Sequence, residues 1–296
     1  MGTPLTFERL PIELILTIWE VAAEHLVISN RTTACSLAQC SKSTHHLVRP
    51  ILFRTVVLFD QNLDSFTQAL LVGNAGTLVR DLTILTSIWF PKPEVIPTFT
   101  QLKYLSGYTV VIEKFLGCLP HSHKVTLRKI HARGANVITN LQLSVTHVCI
   151  TTTDLVSGSS PVACFANWVS AQPSIRWFGY EVIAGIPEVW SRRERRLEPA
   201  ELASGFINVL TQGSPSLQLN LRMAGPMSSD VLWDQFITTL QSQSRNGKDS
   251  PNLEKQIHIW RDQPSVGSTM REFGLVKIDA YEGRDVWSEA IPLELI

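Results

Sequence analysis

Apolar residues crowd the start of the chain. In LPIELILTIWEVAAEHL, residues 10–26, Ile12, Leu14, Ile15, Leu16, Ile18, Trp19, Val21, Ala22 and Ala23 cannot share one stripe of a helix. A surface helix shows one apolar face, whereas a helix apolar on all sides is buried. The boundaries still read as helical. Pro11 suits the first helical position, because it has no amide to waste there. Glu13 lies in the first turn, where the helix dipole favours an anion. A second helix fits TTACSLAQC with Thr32 or Thr33 as its cap, and a third fits SKSTHHLVRP behind Ser41. Pro50 blocks simple continuation and biases Arg49 away from the α region. RTVVLF, residues 54–59, is β-branched and predicts a strand. Residues 10 to about 53 are thus expected to form three short helices and a linker.

Beyond this point the pattern changes to short alternating runs. They centre on Leu82, Leu105, Leu127, Val148, Trp177, Leu219, Ile257 and Ile278. The first intervals are 23, 22, 21 and 29 residues, and the next are 42 and 38. Helices are expected between some of them. DSFTQALLVG stops at Gly73. EPAELASGFINVLTQG has Pro199 near its start and Gly213 past its end. SSDVLWDQFITTLQ follows Ser228 or Ser229. Strand, helix, strand at this spacing is that of leucine-rich repeats, whose small units bury their faces by stacking. The consensus asparagine ladder is missing, and an ordinary α/β domain with parallel strands and right-handed crossovers fits the same pattern. Residues 242–256 are polar and read as a surface loop, while the apolar tail IPLELI is expected to dock on the body.

Composition narrows the function. Of 296 residues, 44% are hydrophobic and 18% charged, enough for a core but short of the usual charged share of about 25%. The net charge is +0, which favours neither nucleic acid nor an anionic membrane. The five cysteines, Cys35, Cys40, Cys118, Cys149 and Cys164, are scattered and odd in number. They read as reduced thiols of the cytoplasm or nucleus rather than a disulfide framework. Neither a signal peptide nor a membrane span is expected. MGTPLT matches a myristoylation pattern at Gly2, but no second anchor accompanies it, so no stable membrane association is expected.

FERLPIELILTIWEVA, followed by ACSLAQCSKSTHHLVRPILFRTVVL, resembles an F-box and its exit strand. Leu10, Pro11, Glu13, Leu14 and Ile15 match the usual opening, Leu37, Ala38, Cys40, Ser41 and Lys42 the middle, and residues 49–58 the ending seen in fungal F-box proteins. Ser43, Thr44, His45 and His46 stand where the family often carries Trp or Arg. The resemblance implies an F-box over residues 7–53, and a leucine-rich-repeat-like α/β region over 54–296 that recognises a target. It further implies a Skp-family adaptor and a cullin–RING ubiquitin ligase as partners, with a protein target of unknown identity. Leu10, Pro11, Ile12, Leu14, Ile15, Ile18, Leu37, Cys40 and Leu47 are then at or near the adaptor contact. Trp19 either anchors that contact or packs against the chain's own second domain. A segment of about 40 residues rarely stabilises itself, which agrees with a partner covering leftover apolar surface. An interaction scaffold without a ligase role is the alternative.

No enzyme, cofactor or metal is expected. Cys35, Cys40, His45 and His46 do not match common zinc spacings. Cys118, His121 and His123 lack a visible orienting group and oxyanion site. WSRRERR, residues 190–196, is the basic cluster of the chain, and Glu194 interrupts it. It reads as a solvated face.

Overall fold

The computed structural model describes residues 10–86, 96–118, 127–133, 145–152, 161–183, 199–224, 230–246, 253–261 and 290–293. Helices α1 (Ile12–Ser29), α2 (Arg31–Gln39) and α3 (Lys42–Arg54) come first. Pro11 lies one position earlier than expected. Its backbone is extended (φ −53°, ψ 142°), and its carbonyl accepts from the amides of Leu14 (3.0 Å) and Ile15 (3.1 Å). The cap of α2 is Asn30, not Thr32 or Thr33. Its side chain accepts from the Thr33 amide at 3.2 Å, and its own amide donates to the Leu26 carbonyl at 2.7 Å. One residue thus ends α1 and starts α2. Ser41 caps α3 as expected, in a reciprocal pair with Thr44.

Pro50 does not end α3, which runs through it directly into β1 (Thr55–Leu58) without a linker. Proline inside a helix removes one backbone hydrogen bond. Here that loss is outweighed, because continuing the helix buries Leu52 and packs Ile51 and Phe53 onto the core. That core is Ala23, Val27, Ala34, Leu37, Ala38, Val48 and Leu52. Arg31 donates to the carbonyls of Leu52 (2.6 Å) and Thr55 (3.3 Å), which ties α2 to the helix–strand junction.

The remaining elements are α4 (Leu63–Gly73), β2 (Asp81–Ile84), β3 (Tyr104–Tyr108), α5 (Thr109–Gly117), β4 (Lys129–Arg133), β5 (His147–Thr152), α6 (Pro161–Ser170), β6 (Trp177–Ile183), α7 (Pro199–Gln212), β7 (Gln218–Ala224), α8 (Asp230–Asn246), β8 (Ile257–Arg261) and β9 (Ile291–Pro292). The strands form one sheet in chain order, β1 to β9. Every neighbouring pair is parallel except β8–β9. The fold is α/β, as expected.

The alternation along each strand builds continuous rows across the sheet. One row is Val56, Leu82, Leu105, Ile130, Val148, Phe178, Leu219 and Ile257. The next on the same face runs through Leu58, Ile84, Ala132, Ile150, Tyr180, Leu221 and Ile259. These side chains share one buried cluster with apolar residues of α4, α5, α6, α7 and α8, so those helices cover this face. Phe165, Tyr180, Phe206 and Phe236 form an aromatic ladder within it, with successive ring centroids 5.9, 5.2 and 6.2 Å apart.

Several local expectations shift. α4 stops at Gly73 as expected, and the residue that caps it is Asn74, in the left-handed region at φ 49°. β4 starts two residues after Leu127, which is buried just ahead of it. α5 and α6 lie where no helix was expected. Residues 242–256 are not simply a loop, since α8 reaches Asn246 and Leu253–Gln256 form a 3-10 turn. Polar side chains hold this stretch in place: Gln243 exchanges hydrogen bonds with Ser204 of α7 (3.2 and 2.9 Å), and Arg245 pairs with Glu254 at 2.9 Å. The described part of the tail docks, with Ile291–Pro292 on β8 and Leu293 buried, while residues 294–296 lie outside the described residues. The run around Ile278 and the caps Ser228 and Ser229 lie outside the described residues.

Asp81, at the start of β2, gives a pH test. Burial raises its carboxyl above the ordinary value, although a hydrogen bond from Thr55 and the charges of Arg54, Lys129 and Arg80 pull the other way. A raised folded value favours the neutral acid, so stability contributed at low pH is lost as pH rises through the carboxylate range. Asp81→Asn should therefore gain more over the native protein near pH 7 than near pH 3, read from urea midpoints.

Candidate functional site

Two features of this fold can carry function. The first is α1. Leu16, Trp19, Ala23, Leu26 and Val27 recur at helical spacing on one side. Ala23 and Val27 enter the three-helix core, and Trp19 and Leu26 pack against it. Leu14, Ile18 and Val21 form a second stripe on the opposite side, at i, i+4 and i+7, and are 51%, 42% and 62% exposed. The helix is apolar on both sides because only one side meets the chain.

The residues expected at an adaptor contact divide accordingly. Pro11, Ile12, Leu14, Ile18 and Cys40 are exposed. Leu10 and Ile15 are half-buried, and Leu47 is half-buried against the helical core. Leu37 is inside that core. Trp19 packs on the helical core itself. Cys35, Cys40, His45 and His46 are all exposed on or beside α2 and α3. Gly2, His121, His123 and residues 190–196 lie outside the described residues. Among the described residues no helix is long and apolar enough to cross a membrane.

The second feature is the sheet face turned away from the helices. One row there is Val57, Thr83, Ser106, His131, Cys149, Gly179, Asn220 and His258. A neighbouring row brings Thr151, Glu181, Arg222 and Trp260 side by side. Ionisable and hydroxyl groups thus interrupt strands whose alternate positions are apolar. Glu181 and Arg222 are nearly fully buried, which is rare for charged residues unless they are paired.

They are paired. Glu181 Oε2 accepts from Thr151 Oγ1 at 2.8 Å and meets His131 Nε2 at 3.1 Å, while Oε1 lies 3.5 Å from Arg222 Nη1. His131 Nε2 also makes a hydrogen bond to Thr151 Oγ1, and its Nδ1 lies 3.2 Å from the Tyr104 hydroxyl. The Arg222 guanidinium stacks 3.6 Å from the centre of the Trp260 ring. Burial opposes the Glu181 charge, but His131, Arg222 and the Thr151 hydrogen bond together hold its carboxyl well below the usual carboxylate range. Beside this network His147 stacks on Trp177 (5.7 Å, 3°), which in turn meets His258 at 5.8 Å.

The network contains residue types used in nucleophilic catalysis but not their arrangement. Ser106 adjoins His131 in register, yet its Oγ has no hydrogen-bond partner. The Cys149 thiol is 0% exposed, which leaves no approach for a substrate, and the nearby His131 Nε2 is engaged by Thr151 and Glu181. Sequence reading missed this network because its members come from separate strands. The available signal was a glutamate inside the otherwise apolar run WFGYEVI.

No protein family, curated protein or solved structure matches the chain.

Proposed function

We propose that the chain is the substrate-recognition subunit of a Skp–cullin–F-box ubiquitin ligase. Residues 7–53 act as the F-box that holds a Skp-family adaptor, and residues 54–296 act as a leucine-rich-repeat-like region that holds a protein target. The chain performs no chemistry of its own. Its contribution is proximity between target and charged ubiquitin.

The observation that carries this reading is the outward stripe Leu14, Ile18 and Val21 on a helix whose other side closes a small core. Such a stripe matches helix recognition through i, i+4 and i+7 anchors. Residues 10–15 and 37–42 resemble the family's opening and middle motifs. The sheet in chain order, with helices on one face, is consistent with stacked strand–helix units.

The test is pull-down of a purified Skp-family adaptor by the full chain. Leu14→Ala combined with Ile18→Ala should weaken binding by about 2 kcal/mol, ~30-fold. Both side chains are exposed, so stability should change by no more than about 0.5 kcal/mol each. Full adaptor binding by this folded double variant overturns the assigned contact. Adaptor binding without cullin co-purification would instead identify an interaction scaffold.

A further inference from the structure

We propose that His131, Cys149 and Glu181 form a divalent-metal site, with zinc as the best-fitting ion. Among the described residues, one imidazole nitrogen, one thiol sulfur and one carboxylate oxygen from β4, β5 and β6 lie within 4.8 Å of one another. His131 and Cys149 are direct register partners, and Glu181 lies one row further along on β6. Mixed N, S and O donors suit zinc, whose bonds of about 2.0–2.3 Å put tetrahedral ligand atoms roughly 3.3–3.8 Å apart. His131 Nε2 and Glu181 Oε2 are already 3.1 Å apart, and the whole set closes on an ion with an inward movement of at most about an ångström.

The surroundings orient these donors as metal sites require. When His131 Nε2 binds a metal, Nδ1 carries the ring proton and donates it to the Tyr104 oxygen, 3.2 Å away. The other neutral tautomer uses the same contacts in reverse. Nε2–H then faces Thr151 and Glu181, and Nδ1 accepts from the Tyr104 hydroxyl. The tyrosine serves both states, because a hydroxyl both donates and accepts. Arg222 approaches Oε1 of Glu181 and leaves Oε2 turned toward His131. Thr151 fixes that oxygen with its own hydrogen bond. Cys149 binds as thiolate, so one proton passes from its sulfur to solvent as the sulfur–metal bond forms. Water completes the four-coordinate shell that zinc takes with three protein ligands. His131 keeps 12% of its side chain accessible and marks the route of entry.

Cobalt(II) added to the chelator-treated full-length chain is the test. The expected result is one equivalent bound, with a near-ultraviolet thiolate-to-cobalt band, and a rise in Tm when zinc is added instead. Cys149→Ser should abolish the band and the rise in Tm. Cys35→Ser with Cys40→Ser should leave both intact, since those thiols are on the helical unit. If Cys149→Ser does not fold, a chain with Cys35, Cys40, Cys118 and Cys164 all changed to Ser keeps the test open, and it should retain the band. Absence of the band in the native chain, its persistence in folded Cys149→Ser, or its loss in the four-serine chain overturns the site.

Discussion

Glu181→Ala should lower stability by about 3–5 kcal/mol, seen as a fall in the urea midpoint with chelator present to remove any bound cation. The cost arises from what is left behind. Arg222 is 6% exposed, and with the carboxylate gone its charge stays in the sheet without its counter-ion. Thr151 loses the acceptor at 2.8 Å, and His131 loses its partner at 3.1 Å. Trp260 continues to stack on the guanidinium, but a ring face offsets only part of a full charge. A paired change, Glu181→Leu with Arg222→Met, removes both charges at similar volume. It should recover most of the loss, because replacing a whole buried ion pair by apolar groups is often neutral. If Glu181→Ala costs under about 1 kcal/mol, the network is not the buried, mutually dependent set described above.

Phe206→Ala should be comparably severe, at about 3–5 kcal/mol. Phe206 is fully buried between Tyr180 of β6 and Phe236 of α8. Truncation removes its own burial and leaves a cavity that relaxes poorly, since sheet and helices constrain it from opposite sides. Edge-on ring contacts on both neighbours are lost as well. Phe206→Leu should cost much less because it refills most of the volume, and thermal or urea unfolding of the two variants side by side measures the difference.

How much of this could be read in advance follows from the range of each interaction. Strands were legible at Leu82, Leu105, Val148, Trp177, Leu219 and Ile257, because alternation is local and alternate apolar residues enter the helix-covered core. α5 was not, because it starts on the residue after β3 and no polar break separates TVVIEKFLG from the strand. Pro50 misled because its rule counts a lost hydrogen bond and omits the burial of Leu52 beyond it. The doubled apolar character of α1 was plain from residue types alone, but assigning Trp19 to the inner side required the positions of α2 and α3. The His131–Glu181–Arg222 network showed only as a glutamate inside an apolar run, because register across β4, β6 and β7 joins residues far apart in the chain.

The junction between α3 and β1 has a mechanical consequence. Thr55 caps the helix and opens the strand, Phe53 packs into both cores, and Arg49 hydrogen-bonds to the Gly73 carbonyl while lying 5.9 Å from the Phe53 ring centre. The helical unit and the sheet are therefore joined like a bracket rather than a tether. On the proposed reading, an adaptor held by the outer stripe of α1 would be carried at a set angle and reach from a target held on the sheet. With a flexible tether, the encounter between two such cargoes would depend on chain length. With a bracket it depends on geometry, so inserting a few glycines after Arg54 would change the spacing without touching either grip.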